Sequence, residues 1–328
     1  MTRLSGDAIR RLQGVVELPD LSGTRYEPIE FVARGGMGVV FRVRDRDLDR
    51  DVALKVLSTV QMNEDARARM LTEARVLARL EHPGIVPVHD VGALPDGRVF
   101  YTMKFVRGSR LDEYAAARRD LNDLLRVFLR ICEAVAFAHA ERVVHRDLKP
   151  GNIMVGAFGE VLVMDWGVAK ILGAGGEAAL APPVRPVDPP DGTPETTATG
   201  SILGTPGYMA PEQARGEPAL VDARSDVFAL GVLLRLLAES AAGAERGVPR
   251  RLRAIHARAG AAEPAGRYAS VGALADEVIR YLTGRSVNAY REPWFERTAR
   301  LAGRHRTAIA LVLMYLLMRI LVFLADRL

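Results

Sequence analysis

The spacing of apolar residues changes once along the chain, near residue 107, and this change most constrains the fold. Before it, five short runs rich in Val, Ile, Phe and Tyr are separated by Gly, Pro and Asp, which is typical of a β-sheet. One helix is predicted between the third and fourth strands, because apolar residues recur every three or four positions in Asp65–Leu80. From Leu111 onward the helical spacing dominates. We therefore predict an α+β chain with a small β-rich half and a larger helical half.

Composition excludes several classes of protein. With 49% hydrophobic and 26% charged residues over 328 positions, the chain is an ordinary globular protein. The net charge of +5, from 45 basic and 40 acidic residues, is too mild to indicate a nucleic-acid partner. The single cysteine, Cys132, cannot form an internal disulfide, and no Cys/His spacing suggests zinc. The polar and charged first 25 residues do not read as a signal peptide, so we expect the main body in the cytoplasm.

A glycine-rich segment and a buried lysine are the first candidates for chemistry. The segment Ala33–Val40 lies between two predicted strands, where glycines would let backbone N–H groups approach a polyphosphate. Taken alone it is weak evidence, because a simple turn is the alternative. Lys55 ends an apolar strand, and a buried ammonium needs an anion. The candidates are a phosphate and Glu73 on the following helix; otherwise Lys55 extends its amine to solvent.

The loop His145–Asn152 holds the strongest pattern. It places a carboxylate (Asp147), an ammonium (Lys149) and a carboxamide (Asn152) within eight residues, and the carboxylate of Asp165 follows after a short hairpin. This set suits a hydrophobic core poorly. It suits Mg²⁺ and phosphate, because magnesium takes oxygen ligands from proteins and completes its shell with water and substrate phosphates.

Taken in order, these segments resemble those of the eukaryotic-type (Hanks-type) protein Ser/Thr kinases, over roughly Tyr26 to Leu282. The resemblance implies the bilobal protein-kinase-like fold and transfer of the ATP γ-phosphoryl group to Ser/Thr hydroxyls of proteins, with ATP and Mg²⁺ as cofactors. The segments GTPGYMAPEQARG and YREPWFER, the latter before an apolar tail, are similar to those of bacterial membrane-associated kinases, which implies a role in bacterial signalling.

The resemblance also implies a role for each matching residue. The catalytic residues would be Asp147, Lys149, Lys55 and Glu73, and the metal ligands would be Asn152 and Asp165. The ATP-binding residues would be Ala33, Gly35, Gly38, Val40, Ala53, Lys55, the gatekeeper Met103, and the hinge residues Lys104 and Val106. Asp226 would brace the catalytic loop, and Arg267 would pair with Glu212.

Arg146 suggests how such an enzyme would be controlled. Because it precedes Asp147, it is placed to pair with a phosphorylated residue of the activation segment. The candidates for autophosphorylation are Thr196, Thr197, Thr199 and Ser201.

Three departures from the family pattern keep an alternative open. Ala33 replaces the first loop glycine, Trp166 replaces the usual Phe of the metal-binding triplet, and the stretch from Asp226 to Arg267 is too short for the full helical insert that docks peptides. The alternative is a membrane-tethered pseudokinase that acts as a nucleotide- or partner-binding scaffold. A small-molecule phosphotransferase would lack the segment Gly204–Glu212. A homodimer is also left open.

The domain boundaries follow from composition and from the resemblance. We expect an N-terminal extension (1–25), an N-lobe (26–106), a C-lobe (107–285) with a mobile insert in its activation segment (173–203), a basic juxtamembrane segment (286–307) and a transmembrane helix (308–325).

The expected transmembrane helix, Ala308–Ala325, has a single charge, Arg319. As a helix it would be about 27 Å long, close to the hydrocarbon thickness of a bilayer. Arginines are concentrated before it, so the sequence predicts a single pass through the inner (cytoplasmic) membrane with the kinase domain in the cytoplasm. The alternative is a buried or dimerising helix.

Overall fold

The computed structural model describes residues 18–34, 38–58, 63–118, 120–166, 170–171, 207–217, 220–291, 293, 311–312 and 314–319. Gly35, the candidate phosphorylation sites and most of the apolar tail lie outside these residues.

The first half is a sheet with one helix across it. Its elements are β1 (Tyr26–Arg34), β2 (Gly38–Asp45), β3 (Arg50–Leu57), α1 (Glu64–Arg79), β4 (Val88–Ala93) and β5 (Val99–Lys104). The strands form one antiparallel sheet in the order β1-β2-β3-β5-β4. The five predicted strands and the helix between the third and fourth are confirmed. The fourth strand begins at Val88 rather than at Gly84, since Pro87 has no N–H to donate to a neighbouring strand.

Strand β3 lies in the middle of the sheet and is covered on both faces. Val52, Leu54 and Val56 pack on the outer face in a cluster with other N-lobe residues. Because side chains alternate along a strand, Lys55 points to the opposite face, where α1 packs. Lys55 therefore points between the sheet and α1, where it is buried.

Helix α1 presents one carboxylate to that face. Its N-terminus is capped by Asn63, whose side chain accepts a hydrogen bond from the Ala66 N–H. Met70, Glu73 and Leu77 are buried on the face directed at the sheet, at the spacing of successive helical turns. Glu73 therefore sits within an apolar stripe and needs a partner.

The second half is mainly helical. Its elements are β6 (Gly108–Arg110), α2 (Leu111–Ala116), α3 (Leu121–Ala140), β7 (Val143–Val144), β8 (Ile153–Gly156), β9 (Val161–Val163), β10 (Lys170–Ile171), α4 (Pro211–Ala214), α5 (Ala223–Arg246), α6 (Arg250–Ala259) and α7 (Val271–Leu282). Helix α3 packs against α5 and α7. One continuous apolar core runs from α1 through α3 to α7, and Cys132 lies buried within it.

Between α5 and Arg267 the chain forms one ten-residue helix, α6, and a short 3₁₀ turn, Pro264–Gly266. Helix α6 packs directly on α5. The structure thus agrees with the expectation that this stretch is too short for a further helical insert.

The apolar tail is only partly described. Residues 311–312 and 314–319 are helical and exposed, and the rest of Ala308–Ala325 lies outside the described residues. Among the helices that the structure describes, none combines the length and the hydropathy needed to cross a bilayer. The transmembrane helix stays a prediction.

Candidate active site

A buried ion pair joins β3 to α1. Lys55 Nζ lies 2.8 Å from Glu73 Oε1 and 3.0 Å from Oε2, and 3.3 Å from Asp165 Oδ1. Glu73 is completely buried. Burial alone would lower the pKa of Lys55, but the Glu73 and Asp165 carboxylates outweigh it and hold that pKa well above its ordinary value. Lys55 is therefore a fixed cation at the inner wall of the cleft.

The glycine segment leaves β1 and enters β2 close to this lysine. Ala33 and Val40 are partners in the β1–β2 ladder, and Val40 also lies opposite Lys55 in the β2–β3 ladder. A Cβ at Gly38 would meet the Val56 carbonyl oxygen at 2.3 Å, so this position accepts no side chain. The sequence thus places a residue without a side chain at the start of β2, where the strand lies directly against β3.

The expected adenine pocket lies on the neighbouring strands. Ala53 on β3 is paired with Met103 on β5, and Ala53 is buried. The Lys104 N–H donates to the Pro87 carbonyl at 3.2 Å, which ties the end of β5 to the segment before β4. Val106 follows two residues later, at the connection between the two halves. Ala53 and Met103 therefore lie side by side in the sheet, and Lys104 and Val106 follow at the end of β5 and just after it.

The loop after β7 holds its carboxylate by two side chains of the same loop. Asp147 Oδ2 accepts from Lys149 Nζ at 2.7 Å and from Asn152 Nδ2 at 3.1 Å. Asn152 Nδ2 also donates to the Asp147 carbonyl at 2.8 Å. Its amide nitrogen is thus committed to Asp147, and its carbonyl oxygen is left to act as an acceptor or metal ligand.

Asn152 and Asp165 provide oxygen donors that fit a magnesium ion. Asp165 has a half-exposed carboxylate, and the charge of Lys55 is the main reason that its pKa lies below the ordinary value. Within the described ranges, no group of three or more His, Cys, Asp or Glu side chains forms a closed metal cage. Asn152 and Asp165 thus offer oxygen donors of the kind that suits Mg²⁺, which keeps waters and substrate phosphates as its other ligands.

Asp226, near the start of α5, braces the catalytic loop from below. Its carboxylate accepts hydrogen bonds from the backbone N–H groups of His145 and Arg146, both at 2.8 Å. His139 Nε2 lies 2.7 Å from Asp226 Oδ2. Burial would raise the pKa of Asp226, but these hydrogen bonds lower it below its ordinary value. The brace matters because Arg146 has a φ of 71°, a left-handed conformation that a non-glycine residue adopts only when its surroundings impose it.

Trp166, one of the departures from the family pattern, is packed into the interior. Its side chain is fully buried, and its ring centroid lies 4.5 Å from that of His145. The indole N–H points to the Val163 carbonyl at 3.5 Å. The larger ring is thus part of the core beneath the loop.

Helix α4 connects the end of the activation segment to the C-lobe. Glu212 forms a buried pair with Arg267, at 2.7 and 2.8 Å, and also accepts from Ser225 Oγ at 2.8 Å. Gln213 Nε2 donates to the Arg146 carbonyl at 2.8 Å. The expected Glu212–Arg267 pair is present, and Gln213 adds a direct link to the catalytic loop.

Three contacts of this site were not anticipated from the sequence. They involve Gln213, His139 and Tyr101, whose hydroxyl donates to Glu73 Oε1 at 2.9 Å. The contact of Tyr101 could have been predicted. Its phenol lies in the apolar strand that also holds Met103, and a buried hydroxyl needs a hydrogen-bond partner.

The chain is similar to known proteins over most of its length. Residues 26–246 match the family described as "Protein kinase domain". The serine/threonine-protein kinase PknD of Protochlamydia amoebophila is 33% identical over 303 residues, covering 80% of this chain and 30% of that protein. The serine/threonine-protein kinase pkn3 of Myxococcus xanthus is 39% identical over 217 residues, covering 64% of this chain and 37% of that protein. The chain therefore spans about a third of the length of these relatives.

A solved structure supports the fold in the same way. The crystal structure of the Mycobacterium tuberculosis PknI kinase domain superposes with a TM-score of 0.55 at 26% identity, covering 79% of this chain and 96% of that one. The predicted bilobal fold, with a β-sheet N-lobe and a helical C-lobe, is confirmed. On the strength of the family match and of these relatives, the chain belongs to the protein kinase family.

Proposed function

We propose that this chain is a protein serine/threonine kinase that transfers the γ-phosphoryl group of ATP to Ser/Thr hydroxyls of proteins. The observation that carries the proposal is a chain of contacts. Asp147 is held by Lys149 and Asn152, and the Met164 N–H donates to the Asn152 carbonyl at 2.8 Å. Asp165, the next residue, lies 3.3 Å from Lys55, which binds Glu73. Phosphoryl transfer needs mainly positioning and neutralisation of phosphate charge, and these residues supply both.

Asp147 would act on the substrate hydroxyl. Its carboxylate would accept a hydrogen bond from the hydroxyl, orient the oxygen toward the γ-phosphorus and take up the proton as the new O–P bond forms and the bond to ADP breaks. Lys149, which is partly exposed, would turn from Asp147 to the transferred phosphoryl oxygens. Both roles use side chains that the loop already holds together.

The nucleotide would lie between the two lobes. Lys55, fixed by Glu73, would bind the α- and β-phosphates, and Gly38 would bring the backbone close to them. Asn152 and Asp165 would hold magnesium, which supplies positive charge against the phosphate oxygens when bound. Met103 and the backbone of Lys104–Val106 would bind adenine.

The decisive variant is Asp147→Asn. We expect phosphotransfer to radiolabelled acceptor, or to the chain itself, to fall by about 10²- to 10⁴-fold, while MgATP affinity measured by calorimetry stays nearly unchanged. The matched control is Asp123→Asn on α3, which removes an exposed carboxylate paired only with Arg126 and should leave turnover intact. Turnover like that of the wild type in Asp147→Asn would contradict the assignment. A wild type that binds MgATP without transferring phosphate would favour the pseudokinase.

Control by autophosphorylation is supported by Arg146. Its Nε is buried without a hydrogen-bond partner in the described part of the chain, and burial lowers the pKa of its guanidinium. A desolvated cation of this kind would be stabilised by a phosphate. The candidate phosphate carriers Thr196, Thr197, Thr199 and Ser201 lie outside the described residues.

Phosphopeptide mapping after incubation with MgATP tests this control. We expect modification between residues 173 and 205, and we expect Arg146→Ala to lose the rise in activity that accompanies it. An exposed arginine on α3, Arg126→Ala, is the control. No modification in that segment would argue against loop control.

Attachment to the cytoplasmic membrane by residues 308–325 rests on the sequence, which combines eighteen nearly uncharged residues with preceding arginines. The test is fractionation of the full chain beside a form truncated at Arg306. We expect the full chain in the membrane fraction and the truncated form in the supernatant. Equal solubility of the two would contradict the anchor.

A further inference from the structure

Tyr101 lies beside the lysine–glutamate pair because of the register of the sheet. On β5 it is directly opposite Lys55 of β3, so both side chains point to the face that α1 covers. Tyr101 is 1% exposed, and its hydroxyl donates to Glu73 Oε1 at 2.9 Å. Lys55 Nζ lies 5.6 Å from the centroid of the Tyr101 ring. Two buried donors, the Tyr101 hydroxyl and the Lys55 ammonium, thus meet at the Glu73 carboxylate.

The phenol is a permanent donor to this carboxylate. Burial is the main cause that raises the pKa of Tyr101 well above its ordinary value, so the hydroxyl is protonated at neutral pH and can donate. Glu73 is completely buried, and a buried carboxylate oxygen is stable only when it is hydrogen-bonded. Tyr101 therefore supplies Glu73 with a second donor besides Lys55.

The two donors differ in what else they must bind. Lys55 is already shared, since Asp165 Oδ1 lies 3.3 Å from its ammonium, and bound nucleotide phosphates would draw on the same group. Within the described part of the chain, the hydroxyl of Tyr101 donates to Glu73 and to no other group, and this bond does not involve the nucleotide. Helix α1 is thus attached to the sheet at two strands, through Lys55 on β3 and through Tyr101 on β5.

We propose that Tyr101 is a positioning residue for phosphoryl transfer: it holds Glu73, and through it α1, in the place where Glu73 keeps Lys55 directed at the nucleotide phosphates. Tyr101 acts through Glu73 and does not touch the substrate. This inference rests on the proposed kinase function and adds a third member to the Lys55–Glu73 pair.

The test variant is Tyr101→Phe, which removes only the hydroxyl. Autophosphorylation rates are measured against MgATP concentration, and MgATP affinity is measured by calorimetry on the same proteins. We expect the KM and the Kd for MgATP to rise about 3- to 10-fold, the range that corresponds to the net contribution of one ordinary hydrogen bond, because Tyr101 acts on the nucleotide only through Glu73. A merely structural loss would lower the active fraction, and so the maximal rate, with KM unchanged.

Tyr26→Phe is the matched control. Tyr26 is also a buried tyrosine of the N-lobe sheet, 3% exposed, but its hydroxyl bonds Asp90 at 2.9 Å and Thr102 at 3.3 Å. This variant should keep the wild-type KM and Kd for MgATP. Equal changes in the two variants, or no change in Tyr101→Phe, would overturn the proposal.

A double-mutant cycle with Glu73→Ala tests the route through Glu73. If Tyr101 acts through this carboxylate, Tyr101→Phe should add no further loss of MgATP affinity in the Glu73→Ala protein. The same fold-change in both backgrounds would overturn the proposal. Calorimetry also separates the two claims, because a wild type that binds MgATP without transferring phosphate contradicts the proposed function and still reports on Tyr101. A wild type that neither binds MgATP nor transfers phosphate would overturn both the proposed function and the role of Tyr101.

Discussion

Arg267 and Glu212 form a two-bonded ion pair, at 2.7 and 2.8 Å, in which both side chains are fully buried. Arg267 also donates to three backbone carbonyls, those of Arg224, Ala261 and Ala262. The pair therefore joins the end of the activation segment to the start of α5 and to the turn before α7.

Removing one partner of this pair should destabilise the C-lobe strongly. Arg267→Ala leaves the buried Glu212 carboxylate with only Ser225 as a side-chain donor, and we expect a loss of about 3–5 kcal/mol in the free energy of unfolding. Urea denaturation followed by circular dichroism measures it. The control is Arg215→Ala, which breaks the more exposed pair with Glu217 and should cost about 0–1 kcal/mol. Similar losses in the two variants would contradict the prediction.

Asp51 should make stability depend on pH in the acid range. Hydrogen bonds from Arg42 and Arg44 lower the pKa of Asp51 from 3.8 to about 2. A group whose pKa is lowered by folding contributes stability above its unfolded pKa and loses it as the pH falls through the folded one. The free energy of unfolding should therefore fall as the pH is lowered from 3.8 to about 2, and Asp51→Asn should make this fall smaller. Arg42→Ala should flatten it in part, and an unchanged slope in Asp51→Asn would refute the prediction.

Gly38 should not tolerate a methyl group. In Gly38→Ala the new Cβ would meet the Val56 carbonyl oxygen at 2.3 Å, and backbone cannot move aside cheaply. We expect a loss of about 1–3 kcal/mol in thermal or urea unfolding, together with weaker MgATP binding. Gly272→Ala in α7 is the control, because its nearest atom is Ser270 Oγ at 3.8 Å, and it should gain up to about 1 kcal/mol from helix propensity. A neutral Gly38→Ala would show that the strands can separate there.

Trp166 should be needed for its size and its ring, rather than for chemistry. Trp166→Ala would open a cavity against His145 and should cost about 3–5 kcal/mol in unfolding free energy, with a matching loss of phosphotransfer at 37 °C. Trp166→Phe keeps an aromatic ring against His145 and should retain most of the activity at a smaller cost in stability. Loss of activity in a stably folded Trp166→Phe would assign the indole a role beyond packing.

The local elements and the chemistry-bearing loop could be predicted because their signals are local. Short runs rich in Val, Ile, Phe and Tyr predicted β2, β3 and β5, and the helical spacing of Met70, Ala74 and Leu77 predicted α1. The grouping of Asp147 with Lys149 and Asn152 was visible because all three lie in one loop, and the structure joins them by hydrogen bonds. The predicted start of β4 at Gly84 is wrong. The strand begins at Val88, because Pro87 has no N–H to donate to a neighbouring strand.

Local patterns are enough to predict which residue types serve each chemical role and which short elements carry them, because periodicity and loop composition act over a few residues. The contacts between elements follow instead from the folded arrangement: Tyr101 with Glu73, 28 residues apart, and Gln213 with Arg146, 67 residues apart. These contacts depend on the register of β5 against β3 and on how helices pack on the core, and both are set by the shape of the whole apolar interior rather than by any one segment.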